Sequence, residues 1–504
     1  MARGSFYIAL QGAVGYVVSF LTYVALTRIL NPSEIGELPI LSAAYSVFST
    51  ITLFSLGTAT TQYVARFAGS GRGKVEGVTS TALKIVTVFS VPGFLALALI
   101  SPELTKLVFG TALSPSVLVL VIFAAVIVNF GTVLVAALWG LNLFGQMVTA
   151  NIVGIVASRV IGVLFAASPL RLEGYFVGWI VGNALMLFIA FAYARPHLSR
   201  TRNGIPVLTM LVYSYPILFS ALVSQVQQWA DVTILYGLTG SLLYTGAYYL
   251  GLSGGGILSP VSTSIANAIF PTLSSKHGRV DASSFRGALR IAVRAMNVLV
   301  IPASLGLAAI ASTAVRVAFG GTYSAATIPF AILIIAGIFN AYQGLMSTVL
   351  QSITRTQPLI KIASVGAVTE VVSAAALVVP FGVVGSAVAR LGMVLVSLLL
   401  TYWYVKGVWW PSLDRQQLMK CLALSVICGV VLLASDSYLL TRLAVNPLQR
   451  LMLDAGLFVI VYVAGLVALK PLYPEDIALL KTAIPSPLHR PLRTLETLVV
   501  QKAR

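Results

Sequence analysis

The stretch that decides the fold is PSVLVLVIFAAVIVNFGTVLVAALW, residues 115–139, which carries no charged side chain. A helix rises about 1.5 Å per residue, so a helix of this length crosses the ~30 Å hydrocarbon core of a membrane. The mean hydropathy of the 504-residue chain is +0.96, and 9% of its residues are charged. Soluble domains carry about 25% charged residues. The sequence therefore predicts an all-α polytopic membrane protein.

The rest of the chain repeats this pattern of apolar segments of about 20 residues, and we predict about 14 transmembrane helices. The predicted spans are 6–29, 38–65, 79–100, 115–139, 147–168, 173–194, 207–235, 242–270, 287–310, 326–350, 359–379, 381–405, 418–436 and 451–470. The first run is too long for the core of a signal peptide, and no small-residue cleavage pattern follows it. We expect it to be an uncleaved span.

The basic residues orient these spans. With the N-terminus inside, 24 of the 32 Lys and Arg residues fall on the cytoplasmic side, so both termini are expected to be cytoplasmic. The net charge of +18 then mostly reflects the excess of basic residues in the cytoplasmic loops. Attraction of these residues to anionic lipid headgroups reinforces the orientation. It does not indicate a nucleic-acid partner.

The chain also resembles itself at an offset of about 210 residues, which indicates an internal duplication. The matches include Gly36 with Gly246, Pro92 with Pro302, LVFG (107–110) with VAFG (317–320), and Asn129 with Asn340. Each repeat holds six spans, an even number, so the repeats are expected to be parallel and to place a substrate between them. The predicted organisation is a six-helix repeat at 1–200, a second at 201–410, two additional helices at 411–470 and a basic cytoplasmic tail at 471–504.

Several motifs resemble those of one transporter family. They are LTRILNPSEIG (26–36), LGTATTQYVARFAGSG (56–71), Asp231 followed by YTGAYYL (244–250), and PFGVVGSAVAR (380–390). With the 6+6+2 layout, the chain resembles the polysaccharide-transport (oligosaccharide flippase) family of the multidrug/oligosaccharidyl-lipid/polysaccharide exporter superfamily.

The resemblance implies a V-shaped helical bundle in the cell membrane. It would carry a lipid-linked oligosaccharide, a sugar on a polyprenyl phosphate or pyrophosphate, across the membrane for surface polysaccharide or glycoprotein assembly. The driving force would be an ion gradient, of H⁺ or Na⁺, or consumption of the product.

A polar stripe interrupts the seventh span within QVQQWAD (225–231). Ser220, Ser224, Gln227, Gln228 and Asp231 share one helical face by their spacing. A polar face in hydrocarbon must look into protein or water. Two interpretations follow: the stripe lines a hydrated path for the headgroup or sugar, or it hydrogen-bonds a neighbouring helix.

Four charged residues are further candidates for the substrate or ion path. Arg159, Glu370 and Arg390 lie deep within spans, where an ionisable residue is a functional candidate. Glu370 and Arg390 have matched depths on consecutive helices, so they either pair with each other or line the path. Arg159 can offer a cation to a pyrophosphate. Arg28, near the outer end of the first span, either binds phosphate or extends to the interface.

No catalytic residue, metal site or cofactor is predicted. AGSGRGKV (68–75) departs from a phosphate-binding loop at Ala68 and Val75, and we expect a flexible basic loop there. GLSGGGILSP (251–260) indicates either close helix packing or local unwinding. An ion-coupled drug or metabolite antiporter of the same superfamily is the alternative function. A membrane glycan polymerase or ligase would need a long outer loop, which the spans leave no room for.

Overall fold

A computed structural model describes residues 2–68, 72–110, 114–198, 205–266, 282–353, 355–406, 414–435, 446–471 and 473. Every secondary-structure element in these residues is helical, as the composition predicts. In this part of the chain, 11 helices are long and apolar enough to span a membrane, and one bent helix pair gives a twelfth. Most of the predicted tail at 471–504 lies outside the described residues.

The described chain packs as two compact units, and the first comprises Met1–Thr233 and Ser241–Gly246. Its helices are α1 (Ala2–Ile29), α2 (Pro32–Leu53), α3 (Leu56–Phe67), α4 (Arg72–Phe109), α5 (Pro115–Gly140), α6 (Phe144–Ala166), α7 (Arg171–Ala194) and most of α8 (Val207–Thr239). Helix α5 is central, because α2, α3, α4 and α7 all pack against it. It contains the stretch with which the sequence analysis began, and its many Ala, Gly and Val side chains allow neighbours to approach on several sides.

Helices α6 and α7 pack with their backbones in contact. Along α7, Gly174, Gly178 and Gly182 recur every four residues, opposite Ser158 and Gly162 of α6. A Cβ atom added at Gly178 would lie 2.2 Å from the Gly162 Cα atom, and one at Gly182 would lie 2.4 Å from the Ser158 nitrogen. Small residues at this spacing drive helix association in membranes, where burial of apolar surface supplies no net force. We call this contact the glycine seam.

A polar network joins α2, α4 and α5 inside the first unit. The Asn129 amide of α5 is wholly buried. Its Nδ2 donates to Thr52 Oγ1 at 2.8 Å and to Ser90 Oγ at 3.1 Å, and its Oδ1 accepts from Ser49 Oγ at 2.5 Å. Because the carboxamide is satisfied, the network fixes the register of three helices without leaving a polar group unpaired in hydrocarbon.

The second unit comprises Ile234–Gly240 and Ala247–Arg504. Its helices are α9 (Leu242–Gly255, whose first residues belong to the first unit), α10 (Ala282–Ala309), α11 (Ala311–Phe319), α12 (Thr327–Ser352), α13 (Gln357–Lys406), α14 (Arg415–Ala434) and α15 (Pro447–Leu469). Helix α10 is central here, since α12 and α14 both pack against it. The buried, unbridged Cys421 and Cys428 contribute to the packing of α14, as their spacing indicates.

Helix α13 is a hairpin of two spans. Its 50 residues would extend about 75 Å if straight, more than twice the hydrocarbon thickness. The helical path breaks at Gly382, whose φ of 53° and ψ of −125° suit glycine. A Cβ atom at Gly385 would lie 2.1 Å from the Leu377 carbonyl oxygen, so the arms are in contact where the chain reverses. The two arms correspond to the predicted spans 359–379 and 381–405.

Two other predicted spans are irregular. The span at 38–65 is the bent pair α2 and α3, whose axes differ by 43°. The span at 242–270 is described as far as residue 266: α9 passes into a 3-10 turn at Gly256–Leu258, and residues 259–266 are helical again. Gly254 and Gly255 also pack closely on Phe330 and Leu333, so the glycine cluster at 251–260 combines close packing with a local change of helix type.

Some positions matched by the duplication lie in similar places. Helix α4 ends at Phe109 and α11 at Phe319, and Pro92 and Pro302 lie inside α4 and α10. Gly36 and Gly246 pack against each other, with 3.1 Å between the Gly36 nitrogen and a Cβ atom added at Gly246. The six-plus-six repeat layout and its boundaries remain a prediction.

Candidate functional site

The polar stripe lies on α8, and burial differs along it. Ser224 and Gln228 are exposed, Gln227 is half-buried, and Asp231 is wholly buried. The Asp231 carboxylate accepts the Val232 backbone N–H at 2.7 Å. The Ser224 hydroxyl donates to the Ser220 carbonyl at 3.0 Å, within its own helix. The stripe thus presents hydroxyl and amide groups at the protein surface next to a carboxylate that is shielded within the protein.

A different residue of α8 makes hydrogen bonds to another helix. Gln225 accepts from the Ser46 hydroxyl at 2.7 Å and donates to the Thr50 hydroxyl at 2.8 Å, both on α2. Gln225 lies about 100° around the helix from Ser224, so it is not part of the stripe. Sequence analysis did not identify this contact, because nothing local distinguishes Gln225 from Gln227 or Gln228. Gln225 thus joins α8 to α2 through two side-chain hydrogen bonds.

Arg159 is partly exposed and is held among aromatic rings. It lies on α6, about 10 Å from the end of that helix. Its guanidinium donates to the Tyr175 hydroxyl and lies over the Trp179 ring, 5.0 Å from the centroid. Both rings belong to α7 and reach Arg159 because the glycine seam brings the two backbones together. A cation over a desolvated indole gains about 2 kcal/mol.

The aromatic cluster continues to α2. The Tyr45 ring packs edge-on against Trp179 with centroids 4.9 Å apart, and its hydroxyl accepts from Asn183 Nδ2 at 3.5 Å. Tyr175 and Trp179 are buried, so they support the Arg159 guanidinium from one side. What this arrangement can do chemically is hold a permanent cation in a fixed orientation within the depth of the membrane, as recognition of an anion requires.

A second arginine, at the start of α7, is paired with a glutamate at the start of α2. Arg171 donates from Nε to Glu34 Oε1 at 2.8 Å and from Nη2 to Oε2 at 2.6 Å, a bidentate ion pair. Glu34 also accepts the Asn31 backbone N–H at 2.7 Å, which caps the helix. The Asn31 and Glu34 spacing signals the cap in the sequence, but nothing there signals the distant arginine. Arg28 lies nearby in sequence, exposed in the last turn of α1, where a cation favours the helix dipole.

Glu370 and Arg390 form an ion pair, which is one of the two alternatives that their matched depths leave open. Arg390 Nε lies 2.9 Å from Glu370 Oε1, across the two arms of α13. The Glu370 side chain is completely buried and that of Arg390 is 14% exposed. The pair is possible because the hairpin places side by side two residues that a straight helix would separate by about 30 Å. It belongs to the second unit, and Arg159 and the stripe residues belong to the first.

Comparisons with known proteins agree on the family. A family profile described as "Polysaccharide biosynthesis protein" matches residues 25–329. The "Probable low-salt glycan biosynthesis flippase Agl15" of Haloferax volcanii is 20% identical over 469 residues, which cover 92% of this chain and 94% of that protein.

Solved structures share the fold. A structure titled "Lipid II flippase MurJ, inward closed conformation" matches with a TM-score of 0.74 and 13% identity, covering 90% of this chain and 97% of that one. An inward-facing multidrug resistance MATE family transporter of the MOP superfamily matches with a TM-score of 0.66 and 13% identity, covering 81% and 98%. At 13% sequence identity, these matches show that the chain shares the fold of the two transporters, and they show nothing about its substrate. By its sequence the chain belongs to the polysaccharide biosynthesis protein family, and it shares its fold with the lipid II flippase MurJ and with a MATE family transporter of the MOP superfamily.

Proposed function

We propose that this membrane protein is a flippase, which moves a lipid-linked oligosaccharide across the membrane by alternating access for surface polysaccharide or glycoprotein assembly. The observation that carries the proposal is the exposed polar face of α8, Ser224 and Gln228, on a membrane helix of a polysaccharide biosynthesis protein. A polar face at membrane depth must look into protein, water or a polar substrate rather than into lipid. Sugar hydroxyls supply both donors and acceptors to such groups.

The substrate has three chemical parts, and the first unit offers partners for two of them. Ser224, Gln227 and Gln228 would contact the sugar. Arg159 is the cation that we assign to the phosphate or pyrophosphate. The rings of Tyr175 and Trp179 orient its guanidinium, and Arg159 is partly exposed. Arg28 is a second cationic candidate at the end of α1. The polyprenyl chain would remain in the surrounding lipid, where it costs no desolvation.

The energy for net movement would come from an H⁺ or Na⁺ gradient or from consumption of the flipped product. Asp231 is the residue we assign to ion coupling, because a buried carboxylate next to a polar face can bind a cation or a proton. The Glu370–Arg390 pair is assigned to stability, since each charge already neutralises the other within α13. Transport of this kind makes and breaks no covalent bond, so no cofactor enters the proposal.

The cell membrane is the proposed location, with both termini in the cytoplasm. Single cysteines at His197 and Ser324, in a chain lacking Cys421 and Cys428, test the orientation with a membrane-impermeant reagent. We expect labelling of position 197 only after the membrane is opened, and labelling of position 324 in intact cells. The reverse result would contradict the proposed orientation.

Depletion of the chain in its own cells distinguishes a flippase from a drug or metabolite antiporter. A flippase predicts accumulation of lipid-linked oligosaccharide whose sugar faces the cytoplasm, with loss of the finished surface glycan. Drug sensitivity should not change. Normal glycan together with increased sensitivity to cationic drugs would support the antiporter and overturn the proposal.

A further inference from the structure

The span formed by α2 and α3 is broken at two residues that are not glycine. Phe54 and Ser55 have φ values of 52° and 54°, in the left-handed region. Such residues cost about 1–3 kcal/mol each and are concentrated at functional sites. Glycine would adopt this conformation without strain, but the nearest glycine, Gly57, lies two residues beyond the break. The break therefore has a cost that ordinary helix packing would avoid.

A cavity of about 510 Å³ opens at this break, within the first unit. Its polar wall includes Thr58 and Gln62 of α3, together with Thr132 and Trp139 of α5. Interrupted backbone at membrane depth is tolerated where it lines a polar or water-filled cavity. The cavity therefore accounts for how a break in the helix is tolerated at this position.

Three of the lining groups are available to a ligand. Thr58 and Gln62 are exposed, and within the described part of the chain no protein group hydrogen-bonds the Thr58 hydroxyl, the Gln62 amide or the Trp139 indole N–H. The Trp139 side chain is 45% exposed. By contrast, the Thr132 hydroxyl is bonded to the Val128 carbonyl at 2.8 Å.

The chemistry of the wall selects one class of ligand. None of the described residues that line the cavity is charged, which argues against a phosphate, a metal ion or a cationic drug. Threonine and glutamine offer donors and acceptors together, and an indole offers a flat apolar face. A few placed polar groups on an otherwise apolar wall are typical of small-molecule sites of this volume. A neutral pyranose has the same combination, with hydroxyls at its rim and C–H groups on its face.

We propose that this cavity binds a neutral sugar unit of the lipid-linked oligosaccharide, separately from the groups assigned to the phosphate. The Trp139 indole stacks on the sugar ring, and Thr58 and Gln62 hydrogen-bond its hydroxyls. The inference rests on the proposed flippase function and names where part of that substrate is held.

The test compares two probes bound to the full-length protein in nanodiscs: a fluorescent polyprenyl pyrophosphate carrying a neutral disaccharide, and the same lipid pyrophosphate without sugar. Thr58→Val with Gln62→Leu, and separately Trp139→Leu, are expected to weaken binding of the sugar-bearing lipid about tenfold. Binding of the sugar-free lipid should not change.

Matched controls are Thr149→Val and Trp403→Leu, exposed residues of the same types outside the cavity. They should bind both probes as the wild type does, and the amount of folded protein is measured for every variant. Equal weakening of both probes by the cavity variants would show that the cavity contacts the lipid pyrophosphate that they share, and would overturn the sugar assignment. Unchanged binding of both probes would also overturn it. If the wild-type protein binds neither probe, the flippase proposal itself fails, and the sugar assignment fails with it.

Discussion

Breaking the Glu370–Arg390 ion pair should destabilise the second unit strongly. The two side chains are 2.9 Å apart, Glu370 is completely buried and Arg390 is 14% exposed, so neither charge has ready access to water. Removing one partner of a buried pair costs about 3–5 kcal/mol, because the remaining charge stays in a low dielectric. This is a change of about two to four powers of ten in the folding equilibrium.

A double-mutant cycle measures the pair directly. Glu370→Gln, Arg390→Gln and the double variant would be unfolded by titration with SDS in mixed micelles, followed by circular dichroism. We expect each single variant to lose about 3 kcal/mol or more, and the double variant to lose much less than the sum of the two. Exchanging the residues, Glu370→Arg with Arg390→Glu, should recover part of the loss.

The Glu34–Arg171 pair serves as the matched control. It has comparable distances, but the Arg171 side chain is 42% exposed, so its cycle should give a clearly smaller coupling. Additive losses at 370 and 390, with no coupling between them, would refute the structural assignment. Both residues would then return to the set of candidates for the transport path.

Three further predictions concern the first unit. Gly178→Leu should prevent folding or strongly reduce folded yield, because its Cβ atom would overlap Gly162. As a control taken from the second unit, Gly237→Leu, at a position with open space, should fold normally, and size-exclusion chromatography compares the two variants. Asn129→Leu should lower the free energy of unfolding by about 1–3 kcal/mol, because three hydroxyl groups lose their hydrogen-bond partner. The same SDS titration measures this loss, and an unchanged midpoint of unfolding would contradict the network. Asp231→Asn should leave folded yield intact and slow flipping under an H⁺ or Na⁺ gradient, measured in proteoliposomes; wild-type rates under every gradient would remove Asp231 from ion coupling.

The helical class and most of the spans could be predicted from the sequence. Long apolar runs of about 20 residues form helices in lipid, since a helix satisfies all of its backbone hydrogen bonds within one segment. The family resemblance was confirmed by the match over residues 25–329. The Glu370–Arg390 pair was also among the predicted alternatives, because consecutive antiparallel spans constrain the depths of their residues.

The break at Phe54 and Ser55 could not be predicted, because neither residue is a helix breaker and both adopt left-handed backbone that such residues rarely adopt. The glycine seam had a readable signal, the four-residue spacing of Gly174, Gly178 and Gly182. Its partner on α6 could not be identified without the structure.

The candidate site was harder to predict than the fold. Helical spacing placed Ser224, Gln228 and Asp231 on one face, but spacing does not determine depth, and Asp231 is wholly buried while the other two are exposed. The contacts of Gln225 with α2 and of Arg171 with Glu34 join segments more than 130 residues apart. Such pairs depend on how the helices pack, and a single sequence contains no direct record of that.

The measurement that tests the central claim most directly is flipping in a purified system. The protein is reconstituted into liposomes with a fluorescent lipid-linked oligosaccharide, and a membrane-impermeant quencher reports the fraction of label in the outer leaflet over time. We expect the wild-type protein to make the inner-leaflet label accessible, and Arg159→Gln to slow this at equal folded yield. Liposomes that keep their inner-leaflet label protected in the presence of folded wild-type protein, with and without an imposed H⁺ or Na⁺ gradient, would contradict the flippase assignment.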